Sequence, residues 1–99
     1  MQFPSSVQNA EDRQDLRVQA GCWLRSVRED RGLSQRELAE KVGALYYTFI
    51  SQIESGKGKI PPERYEAWAD ALGVDARDFC IRMLSFYEPT THKIIFRQA

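Results

Sequence analysis

Residues 33–43 read LSQRELAEKVG and run directly into ALYYTFISQIESGKG, and no other stretch restricts the possible folds of this chain so tightly. Ser34 followed three residues later by Glu37 is a capping box, in which hydroxyl and carboxylate each satisfy an amide that the start of a helix leaves unpaired. Leu38, Ala39 and Val42 give the helix one apolar side, and Gly43 supplies its stop. A further helix is expected from roughly Tyr47 to Glu54, with Phe49, Ile50 and Ile53 turned to a core, before Ser55-Gly56-Lys57-Gly58 breaks it. The link Gly43-Ala44-Leu45-Tyr46 is short enough for two helices to cross steeply.

The flanking sequence continues the helical pattern. Ala20, Trp23, Leu24 and Val27 follow the spacing of a helix with one buried face, and Gly32 ends it. Pro61 and Pro62 fall before or inside the first turn of a fourth helix, where a missing amide is harmless. Tyr65, Trp68, Ala69 and Leu72 form its inner side, and Gly73 closes it. A fifth helix is expected after Asp75, with Ala76, Phe79, Cys80, Met83, Leu84 and Tyr87 inward, until Pro89 ends the pattern. These readings define an all-α, compact five-helix bundle with a flexible N-terminus, residues 1–15, and a short C-terminal tail, residues 89–99. Ordered structure is expected to begin near Leu16, so the folded unit covers 16–88. The apolar run Ile94 to Phe96 is too short to stand as a strand alone, and leaves open whether the tail is disordered or packs on the core or on a partner.

If Phe49, Ile50 and Ile53 face inward, Tyr47, Thr48, Ser51, Gln52 and Ser55 lie on or near the opposite side of the third helix. That strip is polar, uncharged and small enough for close approach to a DNA groove. Gln52 can offer adenine a donor and an acceptor together, and Thr48 and Ser51 can donate to bases or phosphates. Tyr46 or Tyr47 can set a hydroxyl on phosphate or a ring against a thymine methyl. The amides that open the second helix form a phosphate anchor with Gln35 beside them. Arg36, Lys57 and Lys59 complete a cationic rim that supplies affinity more than sequence choice. Taken singly, Gln35 and Gln52 are more often ordinary exposed amides, and Lys57-Gly58-Lys59 is more often a solvated loop. It is the combination at these intervals that points to double-stranded DNA.

Ninety-nine residues with 14 basic and 14 acidic side chains give a formal charge of zero, so DNA binding must rest on a local face. Cys22 and Cys80 have no CxxC partner or histidine cluster, and are expected as buried free thiols in a reducing compartment. His92, the single histidine, is expected on the surface of the tail. There is no ligand cluster for a metal, no phosphate-cradling glycine loop and no second histidine, so neither catalysis nor a cofactor is expected. Glu63 and Glu66 share a helix surface in the manner of a solvated helix start. No run of about 18 apolar residues occurs and no export signal opens the chain, so a cytoplasmic protein is expected.

LSQRELAEKVG followed by ISQIESG resembles the Cro and phage-repressor type of helix-turn-helix, the XRE family, from about Val18 to Tyr87. The resemblance implies a bundle of about five helices that acts as a DNA-binding transcription regulator, commonly dimeric on paired half-sites. It matches the family's phosphate-contacting glutamine to Gln35, its base-approaching residues to Tyr47, Thr48, Ser51 and Gln52, and a phosphate-meeting residue to Ser55. The buried isoleucines match Ile50 and Ile53, and the closing Glu-x-Gly matches Glu54 and Gly56. One departure is visible: ALYYTF places six residues between Gly43 and Ile50 where five are usual. The expected function is that of a sequence-specific regulator that blocks or recruits transcription, acting as a homodimer through the fifth helix and the tail. The alternative is an antitoxin-like or partner-binding adaptor that uses those same elements to hold another protein.

Overall fold

The computed structural model describes residues 10–97. They form α1 (Ala10–Asp30), α2 (Gln35–Val42), α3 (Thr48–Glu54), a 3-10 turn (Pro62–Arg64), α4 (Tyr65–Leu72), α5 (Ala76–Tyr87) and α6 (Pro89–Phe96). The described residues therefore hold six helices, not five, and no strand. The sixth is the segment expected as a tail. Pro89, expected to end the pattern, instead takes the first helical position of α6, where its fixed φ and absent amide cost nothing. Helix α1 begins at Ala10, earlier than the apolar period from Leu16 indicates, with Glu11 and Asp12 favouring its amide end. The rest of the N-terminal segment expected to be flexible, residues 1–9, lies outside the described residues.

Each short helix is held by its caps and its buried side. At α2 the Ser34 hydroxyl accepts from the Glu37 amide at 3.0 Å, and the Ser34 amide donates to Glu37 Oε1 at 2.8 Å. At its other end Gly43 adopts φ 73°, and the Ala44 amide returns to the Ala39 carbonyl at 2.9 Å. Seven-residue α3 has no side-chain cap and is too short to persist alone. Its support is tertiary: Ile50 and Ile53 are fully buried, each stabilising by roughly 1.5–3 kcal/mol.

Leu24, Leu38, Ile50, Ile53, Ile60, Trp68, Leu72, Phe79 and Met83 make up the sealed core. Trp23 closes one side of it against Phe79 and Phe86, with ring centres 5.8 and 6.3 Å away. Helix α1 lies against both α3 and α5, so the third helix is carried by the longest one. Gly21 makes that crossing possible, because a Cβ there would run into the Glu54 carbonyl oxygen.

Four expected core positions are not core. Phe49 is exposed because the partly apolar run TFISQI offers α3 two possible inner edges, and the helix buries Ile50 and Ile53 instead. Cys22 and Cys80, expected as buried thiols, are both free and exposed; each sits one residue off the buried stripe of its helix. Ala76 is exposed at the start of α5, where Phe79 and Met83 are the buried residues. His92 is half-buried on α6, its ring 4.7 Å from that of Phe96.

Candidate nucleic-acid interface

Burying Ile50, Ile53 and Glu54 turns the opposite side of α3 outward, and Tyr47, Thr48, Ser51, Gln52 and Ser55 are all exposed. Tyr47, Ser51 and Ser55 stand at four-residue intervals, as do Thr48 and Gln52, so the five share a face. Ser55 is turned inward chemically: its hydroxyl donates to the Gln52 carbonyl at 3.0 Å. The oxygen remains an acceptor, whereas meeting a phosphate as donor requires a new rotamer.

Beneath that face lies a polar assembly that the sequence reading did not foresee. Arg28 Nε donates to Glu54 Oε2 at 2.7 Å and Arg28 Nη2 to Glu54 Oε1 at 3.0 Å, with both side chains nearly dry. Arg28 Nη1 also donates to the Leu33 carbonyl at 2.7 Å. The Glu54 bond pushes the Arg28 pKa up and outweighs the burial that opposes its charge. Gln35 Nε2 completes the chain by donating to Glu54 Oε1 at 3.1 Å. One carboxylate thus joins α1, α2 and α3, and the Gln35 amide has a defined orientation. A clue was present in the sequence, since Arg28 falls four residues beyond Leu24 on the buried side of α1.

The cationic rim does not gather as a single patch. Arg36, exposed in the first turn of α2, lies with its guanidinium carbon 4.4 Å from the centre of the Tyr47 ring. Lys57 is exposed just past α3. Lys59 instead reaches over Tyr87 of α5, its Nζ 5.1 Å from the ring centre. The adjoining Ile60 amide donates to the Tyr87 hydroxyl at 3.3 Å, which pins the loop to α5.

The longer link between α2 and α3 is absorbed outward. Leu45 is 91% exposed and Tyr46 72%, while Tyr47 stays at the foot of α3. Tyr46 and Phe49 line an open groove of about 420 Å³ with Pro61, Arg64 and Trp68. Tyr46 also borders a second open groove that Arg36 and Tyr47 line with it. Arg64 holds one wall of the groove by donating to the Val42 carbonyl.

A short capped helix crossing beneath a second helix, whose far side is polar, exposed and uncharged, defines a DNA-reading module. The helix-turn-helix family profile matches residues 24–79. Over 65 residues the chain is 40% identical to a Neisseria hypothetical transcription factor from Neisseria meningitidis serogroup B, covering 66% of this chain. The match spans about 60% of that relative's length. The crystal structure of the clp gene regulator ClgR from C. glutamicum is similar at a TM-score of 0.60 and 32% identity, covering 73% of this chain and 91% of that one. The chain belongs to the Cro-like, XRE helix-turn-helix family of transcriptional regulators. Members of that family act by sequence-specific DNA binding and are not enzymes. Among the described residues no helix is long and apolar enough to cross a membrane.

Proposed function

We propose that this chain is a cytoplasmic repressor that binds paired operator half-sites as a homodimer, with residues 16–88 as the DNA-binding unit. The observation that carries this reading is the uncharged exposed face of α3, held outward by the burial of Ile50, Ile53 and Glu54. Thr48, Ser51 and Gln52 are assigned to base edges. Gln35, Ser55 and Lys57 are assigned to phosphates, the first with the opening amides of α2. Tyr46 and Lys59 take outer positions, Tyr46 against the sugar-phosphate edge and Lys59 as a longer-range charge. Pairing is a physical requirement as well, because one short helix reads only a few base pairs. Two copies one turn apart, roughly 34 Å, multiply their discrimination.

Self-association is assigned to α5 and α6, where Ile94, Ile95 and Phe96 are exposed in sequence. That same surface favours a second reading, an adaptor that holds another protein. Selection from a random duplex library, together with the solution mass of the DNA-free chain, tests both. A two-fold motif and a dimeric mass support the repressor. A monomer that enriches no motif and co-purifies with a stoichiometric partner supports the adaptor.

A further inference from the structure

Resting on the DNA-binding reading above, we infer that Arg36, stacked on Tyr47, reads a guanine in the half-site and is a specificity-determining residue. Ordinarily an arginine in the first turn of the supporting helix is a phosphate ligand. Here its position argues otherwise. The guanidinium sits 4.4 Å over the ring of the residue that opens α3, so it belongs spatially to the reading helix. The guanidinium lies over the ring, and its N–H groups have no acceptor among the described residues.

A stacked fork has lost the freedom of a solvated arginine. A planar fork meets phosphate two-pronged and meets O6 and N7 of guanine equally so, and it is the place of Arg36 at the foot of the reading helix that favours the base. Tyr47 supplies that plane, partly prepaying the ordering of a long side chain by cation–π contact. Phosphate duty also has other candidates here, Gln35 and the opening amides of α2. On the α3 strip Gln52 suits adenine, while the Thr48 and Ser51 hydroxyls serve any base. Among the residues of this face, Arg36 is the one that can meet O6 and N7 of guanine two-pronged.

The test uses the full chain. Motifs are selected from a random duplex library for the wild type, Arg36→Ala, Arg36→Lys, Tyr47→Phe and Tyr47→Ala. Affinities are then measured on the selected operator with and without 7-deazaguanine, which lacks the N7 acceptor, at each guanine. One guanine per half-site should lose its preference in Arg36→Ala, and 7-deazaguanine there should weaken the wild type by roughly tenfold. The same replacement should leave Arg36→Ala unmoved. Arg36→Lys, which keeps the charge but not the fork, should fail to restore the preference. Tyr47→Phe should keep it and Tyr47→Ala should blunt it.

An unchanged motif in Arg36→Ala, with a salt dependence lowered by about one charge, would make Arg36 a phosphate ligand and overturn the inference. A wild-type chain that enriches no motif would instead overturn the DNA reading on which it rests. Arg36 and Tyr47 are both exposed, so circular dichroism should show every variant folded.

Discussion

Arg28 on α1 and Glu54 at the end of α3 meet fork to fork at 2.7 and 3.0 Å, with side-chain exposures of 9% and 4%. Removing one partner strands the other charge away from water. Arg28→Ala should therefore cost about 3–5 kcal/mol, far more than the net worth of the pair. The double change Arg28→Met with Glu54→Gln should recover part of that loss. Urea midpoints of the three proteins give the comparison, and equal costs for single and double variants would show that the ion pair is not the source.

The capping box has a specific acid signature. The Ser34 amide, and secondarily its hydroxyl, hold the Glu37 carboxyl below its ordinary 4.5. A depressed folded pKa means the stabilisation is present above about pH 4.5 and is lost as pH falls through the lower folded value. Ser34→Ala should cost about 1 kcal/mol as a lost cap, yet leave most of the Glu37 depression in place, because the backbone amide is its larger cause. Carboxyl NMR titration of Glu37 in both proteins decides this, and a full return to 4.5 in the variant would reverse the order of causes.

At the alkaline end the tyrosines govern. Burial pushes the Tyr65 phenol up to about 12, and burial also raises Tyr87 against the opposing bond from the Ile60 amide. Raised folded values mean that this stability is intact below pH 10 and falls as pH rises from 10 toward 12, while the unfolded phenols ionise. Tyr65→Phe should flatten that fall. Denaturant unfolding followed from neutral to alkaline pH measures it, and an equally steep loss in the variant would assign the alkaline limit to other groups.

On DNA, Gln52→Ala should relax preference at one base pair, at a cost of roughly 1–3 kcal/mol on the specific site only. Lys57→Ala should instead weaken specific and scrambled duplexes alike and lower the salt slope by about one. Fluorescence anisotropy at several salt concentrations separates the two patterns. Equal losses on both duplexes for Gln52→Ala would remove it from base reading.

Helix α6 offers a test of assembly. Ile94→Asp with Ile95→Asp places two charges among residues already exposed in the monomer, so the fold should survive. If α6 joins two copies, sedimentation should show the dimer lost together with tight operator binding. A dimer that persists would move the self-association surface elsewhere.

The helices most legible in advance were those with local markers. Ser34, Glu37 and Gly43 bracket α2 within a few residues, and Ala20, Leu24, Trp68, Leu72, Phe79 and Met83 declare their faces by period alone. Helix α6 was not legible, because Pro89 reads equally as a stop for one helix or as the first residue of the next. Phe49 was misplaced because in seven residues the period is sampled fewer than two full turns, so an adjacent apolar residue is hard to assign. The outward set from Tyr47 to Ser55 was found. The Glu54 assembly beneath it was not, since polar partners 26 residues apart in sequence leave no period.

Helix α3 divides its labour by side: Ile50, Ile53 and Glu54 are buried in the scaffold, while Thr48, Ser51 and Gln52 are exposed. Changes on the outer side are thus uncoupled from folding, and the module can be re-addressed. A library varied at positions 48, 51 and 52 should consist largely of folded proteins, so that new target sequences can be sought without first repairing the host.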